Sequence, residues 1–578
     1  MRRTTRTRFS WVSLVLIVVF LMASLPASAQ EAGQTDLMPI QADGVTEVVG
    51  TADMAAPVVE KLEWSDAMPI LSPEQQKQLE GSNDRVNLPG PSRKDAEGEA
   101  FGAAPDAGSE SLLAGDLSEA GDAMRAPGDA QVYRNTNFSA NIPAGNKSNV
   151  MESSTAQNGK YAFFTGNWFA ARSTNGGINW AYVNPYAGLP DFCCDQVTTF
   201  DEARNSFYWL RMTSPNSSGV NRFRLGVSND QGATFCNYDV TPTNTNGGWT
   251  NQWWDYPHIQ LGADYLYLAW NMFNASSNWT RTVVLRWPLD SLTACAGFNY
   301  SYWSTTSWFT VVPVQGADHV MYWASNYPQA SPYNRVAIWK WPENAGTGGI
   351  SSVVRTVAAW NYTNRGQAIC GSTSGNWAAR TDDRLLSGAR YEIQGSNLIV
   401  AGRNVLGWWW NAKQGGNYPR PYIDGAAFYE DTLTQVGGAQ GRPLMWNSST
   451  CFLYPSMASN KRGDLGAAFN YSTGSALTPS VGAAIADDYV AAPPGWSIFG
   501  VRTSNARPSD NKWGDYNTVR RFNPTPNTWV AGAHFISGTS NCTTCASPVF
   551  FNFGRARDRN SWAYWQSKSR ENPRETRT

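Results

Sequence analysis

Beyond its first thirty residues the chain has no apolar run approaching the roughly 18 residues that a membrane-crossing helix needs, so no helical membrane span is expected. Histidine is scarce: His258, His319 and His534 are the only three, far apart and without metal-ligand spacing, and they read as structural residues of strands. No G-x-S-x-G elbow, P-loop or H-E-x-x-H pattern occurs, so cofactor chemistry is not expected. The body of the chain lacks Lys/Arg-rich runs and the net charge is only −1, which removes the electrostatic footprint of a nucleic-acid partner. No cysteine precedes Cys193, and Cys542 and Cys545 form the only C-x-x-C. Without a second such pair or a surrounding βαβ pattern, zinc and thioredoxin-like readings both lose ground.

What is present first is an export pattern. Arg2, Arg3, Arg6 and Arg8 precede an apolar stretch from Trp11 to Leu25, and Ala27-Ser28-Ala29 supplies a small-x-small cleavage site, so residues 1–29 read as a signal peptide. The expected location is secreted, extracellular or in the cell envelope. The 8 cysteines of such a chain are expected to form disulfides, with a local loop between Cys542 and Cys545. Residues 30–130 are rich in Ala, Gly, Glu, Asp, Ser and Pro and nearly devoid of aromatics, a composition that buries too little apolar surface to offset chain entropy. They read as a disordered spacer or pro-segment, and residues 561–578 as a polar tail.

From residue 131 to 560 the 27 Trp, 24 Tyr and 24 Phe of the chain are concentrated, and a repeat emerges from apolar alternation. The recurring strand reads KYAFFTGNW (160–168), SFYWLRMT (206–213), YLYLAWNMF (265–273), HVMYWAS (319–325), NLIVAGRN (397–404), DLGAAFNYS (464–472) and TWVAGAHF (528–535). A second short strand precedes most copies, as in CDQVTTF, YPHIQLG, DRLLSGA, YPSMASN and DYNTVRRF. Their spacing suits four-stranded blades, and the fold class expected is an all-β propeller of seven blades, with six left open by the ill-defined fourth repeat. Residues 131–148 are candidates for the strand that closes the last blade.

Two turns carry a specific pattern. Ser228, Asp230, Gly232 and Phe235 fit Ser-x-Asp-x-Gly-x-x-aromatic, and Ser173, Asn175, Gly177 and Trp180 fit it with Asn for Asp. An Asx side chain bonding backbone two residues on, a glycine at positive φ and a packed aromatic make a tight hairpin, so these residues read as structural. They resemble the Asp boxes of bacterial neuraminidase repeats. Together with GNWFAARSTNGGINW, CDQVTTFDEARNSFYWL, DDRLLSGARY and KWGDYNTV, they make residues 145–555 similar to secreted sialidase-like propeller proteins of bacteria. The resemblance speaks for fold more than for activity. It also implies, for a true sialidase, an arginine triad, a Tyr–Glu nucleophile, an Asp acid/base and a Tyr/Phe-Arg-Ile-Pro segment. Tyr133-Arg134-Asn135-Thr136 departs from that segment after the arginine, while Arg384, Arg390, Arg520 and Arg521 could supply guanidinium groups.

The functional expectation is a secreted propeller that binds glycans or other extracellular polymers. The alternatives are a glycoside hydrolase using rim carboxylates and an extracellular scaffold for protein partners. If the repeats are in register, Glu152, Asp195, Asp255, Asp382 or Asp383, and Asp515 stand at the starts of successive inner strands and ring one rim of the central channel. With Arg384 they are the catalytic candidates, as acid and base of a hydrolase; the same ring could hold Ca²⁺, the only cofactor entertained. The competing role for each Asp is to fix the start of its strand through backbone N–H bonds. Trp254, Trp409, Tyr256, Tyr454 and Tyr516 are the candidates for stacking on sugar rings, although strand alternation assigns at least one Trp of the runs Trp253-Trp254 and Trp408-Trp409-Trp410 to the core.

Overall fold

A computed structural model describes residues 129–559, apart from 327–331, 364–365, 372–374, 393–402, 474–477, 488, 491–494, 509–510 and 539–543, together with four short strands nearer the N-terminus. Seven sheets follow one another along the chain. Their innermost strands are Ser154–Asn158, Phe192–Asp201, Gln252–Leu261, Val312–Pro313, Leu385–Glu392, Cys451–Ser459 and Thr518–Arg521. Each touches the inner strand of the next sheet, and the seventh touches the first, so the sheets are seven blades of a closed propeller. Closure shelters the free edges of the inner strands inside the channel. Ala130–Asn137 pairs with the last strand of blade 7, Ala546–Arg555, and ties the N-terminal end of the ring to its C-terminal end.

The recurring strand read from the sequence is the second strand of its blade in six cases, for example Tyr161–Thr165, Ser206–Thr213 and Tyr265–Asn274. Blade 5 differs. Residues 397–402 lie outside the described residues, and the second strand is Asn404–Ala412, which contains the three consecutive tryptophans. Along that strand side chains alternate: Trp408 and Trp410 join the core against blade 4, and Trp409 the core against blade 6. Blade 5 shows three strands among the described residues, whereas blade 1 and blade 7 have four.

The segment read as a spacer contributes Met38–Pro39, Val48–Val49, Val58–Lys61 and Leu113–Ala114, which add to the outer edges of blades 4, 3, 2 and 6, the last in parallel. Residues 1–29 and 561–578 lie outside the described residues. No helix among the described residues is long and apolar enough to cross a membrane.

Both Ser-x-Asx-x-Gly turns join the third and fourth strands of their blades. Ser228 Oγ receives Gly232 N–H at 2.8 Å, and Asp230 Oδ1 receives Thr234 N–H at 2.8 Å. The same geometry recurs at Ser173, with Gly177 N at 2.9 Å, and at Asn175, with Asn179 N at 2.9 Å. Gly177 and Gly232 have φ of 79° and 76°, where a Cβ would be strained. Trp180 stacks on Phe138 at 4.4 Å, and Phe235 packs on Phe163 and Trp209, which pins each hairpin to its blade.

Three disulfides join described residues: Cys193 to Cys194, Cys236 to Cys295 and Cys370 to Cys451. Cys545 is also disulfide-bonded, while Cys542, expected as its partner, lies outside the described residues.

Candidate active site

In blades 2, 3 and 6 the inner strands begin with the same backbone device. The pairing with the second strand slips between Phe192 and Gln196, between Asp255 and His258, and between Leu453 and Ser456. Within each slip one non-glycine residue is left-handed: Cys194 at φ 69°, Tyr256 at 56° and Tyr454 at 58°. A bulge of this kind re-aims side chains, and positive φ at such residues persists only where the surroundings hold it. Asparagines hold several of the strand starts. Asn221 clasps Trp254 through both its N–H (2.7 Å) and its carbonyl (2.9 Å), Asn326 donates to Asp383 O at 2.7 Å, and Asn411 accepts from Tyr454 N–H at 2.7 Å. Nothing in the sequence marks Asn221 or Asn326, whereas Asn411 belongs to a W-N or F-N pair that recurs within the second strands at Asn271, Asn411 and Asn470.

The starts of the inner strands bring Glu152, Asp195, Asp255, Asp382 and Asp515 into one electrostatic cluster with Arg384. Asn167 orients Glu152 twice, its carbonyl accepting Glu152 N–H and its amide donating to Oε2, both at 2.6 Å. Glu152 Oε1 accepts Asp515 N–H at 3.2 Å, linking blade 1 to the start of blade 7. The carboxyls of Glu152 and Asp195 lie close enough to perturb each other, so a proton on one of them relieves their like charge. Burial, reinforced by the charges of Glu152 and Asp255, drives Asp195 well above the ordinary carboxylate range and favours its protonated form. Burial and then Asp515 raise Glu152 as well. Asp255, 8 % exposed, is pushed by burial up to about 7, against the backbone N–H of Tyr256 and the charge of Arg384.

Arg384 is the cation of this site. Its Nε bonds Asp382 Oδ1 at 2.8 Å, its Nη2 reaches Asp515 Oδ2 at 3.4 Å, and its guanidinium lies 4.2 Å over the Tyr256 ring. Burial works against its charge, but Asp382, Tyr256 and Asp515 more than offset that, and it stays protonated. Of the neighbouring aspartates Asp382 and Asp383, the second turns into the core, where Oδ2 accepts from Trp360 Nε1 at 2.7 Å. Asp382 Oδ2, Tyr256 OH and His258 Nε2 are buried with no hydrogen-bond partner. A buried polar atom left in this way costs on the order of 1–3 kcal/mol, a cost that a polar ligand would remove.

The other candidates are distributed as follows. Tyr256 and Tyr516 lie at the cluster, 6.4 Å apart, and Tyr516 donates to Gln196 O at 3.3 Å. Tyr454 shares a 2.7 Å hydrogen bond with Thr381 beside Asp382. Trp254 and Trp409 are corrected: both are 0 % exposed, Trp254 against Phe223 and Trp270, Trp409 with its Nε1 bonded to Pro443 O at 2.9 Å, so neither has a face for a sugar. The guanidinium groups do not gather into a triad. Arg390 pairs with Glu430 at 2.9 Å, Arg521 with Glu202 at 3.7 Å, and Arg520 lies farther down the channel on Thr155 O and Thr198 O.

Arg520 separates the cluster from a cavity of about 520 Å³ at the other end of the channel, lined by Gln157, Asp201, Gln260, Gln315 and Arg521 among others. Of the carboxylates on its lining, Asp201 is taken up by Ala203 N–H at 2.9 Å and Arg204 Nη1 at 3.1 Å, whereas the buried, mutually interacting carboxyls stand at the strand starts. Among the described residues one trio of ligating side chains, Asp264, His319 and Glu343, has its donor atoms within 4.8 Å of one another. It sits beyond the ends of the inner strands, built from blades 3 and 4, which is why sequence spacing did not show it. His534 is buried and His258 partly so, and desolvation lowers both to about 3.

No protein-family model matches the chain, and no curated protein matches it in sequence. Solved structures do resemble it in fold. A sialidase from Streptococcus pneumoniae is 9 % identical over 60 % of this chain and 67 % of its own, with a TM-score of 0.37. An α-L-arabinanase from Penicillium chrysogenum is 8 % identical over 73 % and 98 %, also at 0.37. An α-L-arabinofuranosidase from Fusarium graminearum is 10 % identical over 72 % and 97 %, at 0.33. The likeness is one of fold alone.

Proposed function

We propose that the protein is a secreted glycoside hydrolase whose site is the carboxyl cluster at the starts of the inner strands. The observation that carries this reading is the coexistence, around one arginine, of carboxyls that hold protons near neutral pH with a carboxylate engaged in an ion pair. Glycoside hydrolysis needs that division of labour, one carboxylic acid to protonate the leaving oxygen and one carboxylate as nucleophile or base. Asp255, held up to about 7, serves as the acid, and Asp515, ion-paired with Arg384, serves as the carboxylate. The Glu152–Asp195 pair stores a further proton beside them.

The charge of the site favours neutral sugars. Five carboxyls face one guanidinium, and an acidic substrate would meet negative potential where a sialidase offers three arginines. A tyrosine nucleophile is disfavoured as well, because burial drives the Tyr256 and Tyr516 phenols up, away from the phenolate. Export of the chain, its disulfides and a glycan outside the cell belong to the same reading.

Screening the purified protein against 4-nitrophenyl glycosides, with pentosides and hexosides beside sialosides, tests it. Turnover of a neutral glycoside, abolished by Asp515→Asn and falling as pH rises through about 7, is expected. Proton NMR of the first product anomer then distinguishes retention from inversion. Glycan binding without turnover would replace the hydrolase by a binding propeller, and turnover confined to sialosides would overturn the neutral-sugar assignment.

A further inference from the structure

The bulge that carries Asp195 is held differently from its two counterparts. In blades 3 and 6 the left-handed residues Tyr256 and Tyr454 are followed by Pro257 and Pro455. Proline suits that place, since its φ is fixed and it has no N–H to leave unpaired where the ladder is interrupted. Blade 2 has Asp195 there. A proline there would remove the Asp195 carboxyl from the cluster. In its stead Cys193 and Cys194, adjacent in sequence, are joined to each other, and Cys194 is left-handed.

Loop closure does not explain such a bond. The stabilisation a disulfide gains from the unfolded chain grows with the loop it closes, and neighbours close almost none, unlike Cys236–Cys295 and Cys370–Cys451 with separations of 59 and 81 residues. Its effect is confined to the local backbone. The two cysteines are 1 % and 2 % exposed, wedged among Trp168, Tyr186, Leu189 and Phe192, so the ring is fixed in the wall between blades 1 and 2. On the other side of Asp195, Gln196 donates to Gly166 O at 2.6 Å and Phe169 O at 3.0 Å and accepts from Trp209 Nε1 at 2.9 Å. Asp195 is the single residue between these two anchors.

We propose that the Cys193–Cys194 disulfide is a positioning device that takes the part played by proline in the other bulges and holds the Asp195 carboxyl against Glu152. Its consequence for turnover rests on the hydrolase reading; the positioning itself does not.

The test compares Cys193→Ser/Cys194→Ser with Cys236→Ser/Cys295→Ser, using Asp195→Asn as reference. A third variant, Cys193→Ser/Cys194→Gly, allows the left-handed backbone without enforcing it and guards against misfolding of the first. Infrared absorption of protonated carboxyls near about pH 6 is read in each, alongside the pH profile for the aryl glycoside that the wild type cleaves. Both variants without the ring are expected to lose the part of the band that Asp195→Asn loses. Their kcat should fall roughly 10- to 100-fold with little change in KM. The Cys236/Cys295 variant should melt earlier with band and pH profile intact. Retention of the wild-type band and profile in either ringless variant overturns the proposal. If the band behaves as expected but the wild type cleaves no glycoside, the hydrolase reading fails and the positioning stands.

Discussion

Replacing Asp255 by asparagine should make the protein more stable at alkaline pH while removing its acid. In the folded state the carboxyl titrates at about 7, against 3.8 for an ordinary aspartate. Between those values the folded protein binds more protons than the unfolded chain. Stability therefore falls as pH rises through this window; it is highest below about pH 4 and lowest above about 7. At about 1.4 kcal/mol per tenfold change in affinity, the burden of the ionised carboxylate at pH 8 is about 4 kcal/mol at most. Glu152 and Asp195 share the titration, so roughly 2 kcal/mol is expected from this residue alone. Asparagine keeps an acceptor for the Tyr256 N–H and cannot ionise. Urea unfolding at pH 4.5, 6, 7 and 8 should show Asp255→Asn within about 1 kcal/mol of wild type at the acid end and about 2 kcal/mol more stable at the alkaline end. A difference that does not vary with pH, or a variant less stable at pH 8, would refute the reasoning, because the Asp255 carboxyl would then be solvated or fully paired.

Arg384→Met should destabilise by about 3–5 kcal/mol in urea titrations, since it leaves Asp382 as a buried charge without its partner. Trp409→Ala is expected to cost about 3–5 kcal/mol through the cavity it opens between blades 5 and 6, with ligand affinity unchanged in calorimetry; weakened binding would return Trp409 to the site. Asp230→Ala should lower stability by roughly 1 kcal/mol by removing the acceptor of the Thr234 and Ala233 N–H groups, and leave any turnover intact. Loss of turnover at normal stability would contradict the structural role of that turn.

Seven blades were expected from the sequence, with six left open by the ill-defined fourth repeat, and the strand order was legible in all blades but the fifth, because each depends on local pattern. Alternation in stretches such as YLYLAWNMF marks a strand with two covered faces, and the Ser-x-Asx-x-Gly turns announce a hairpin by their own hydrogen bonding. Repetition then carried the alignment of Glu152, Asp195, Asp255, Asp382 and Asp515 at successive strand starts. What the pattern could not carry was direction: Asp382 and Asp383 are indistinguishable in sequence, and only the core tryptophan Trp360 draws the second away. Nor could it separate Trp254 and Trp409 from the tyrosines of the site, since an aromatic is core or surface according to the blade that faces it.

Ring closure decided the chemistry. Residues more than 300 positions apart, such as Glu152 and Asp515, share a hydrogen bond because the first and seventh blades meet, and a long-range contact of that kind leaves no periodic trace. The raised carboxyls of Glu152, Asp195 and Asp255 and the charge of Arg384 are all consequences of burial and proximity. Those quantities exist once seven inner strands converge on one axis, and not before.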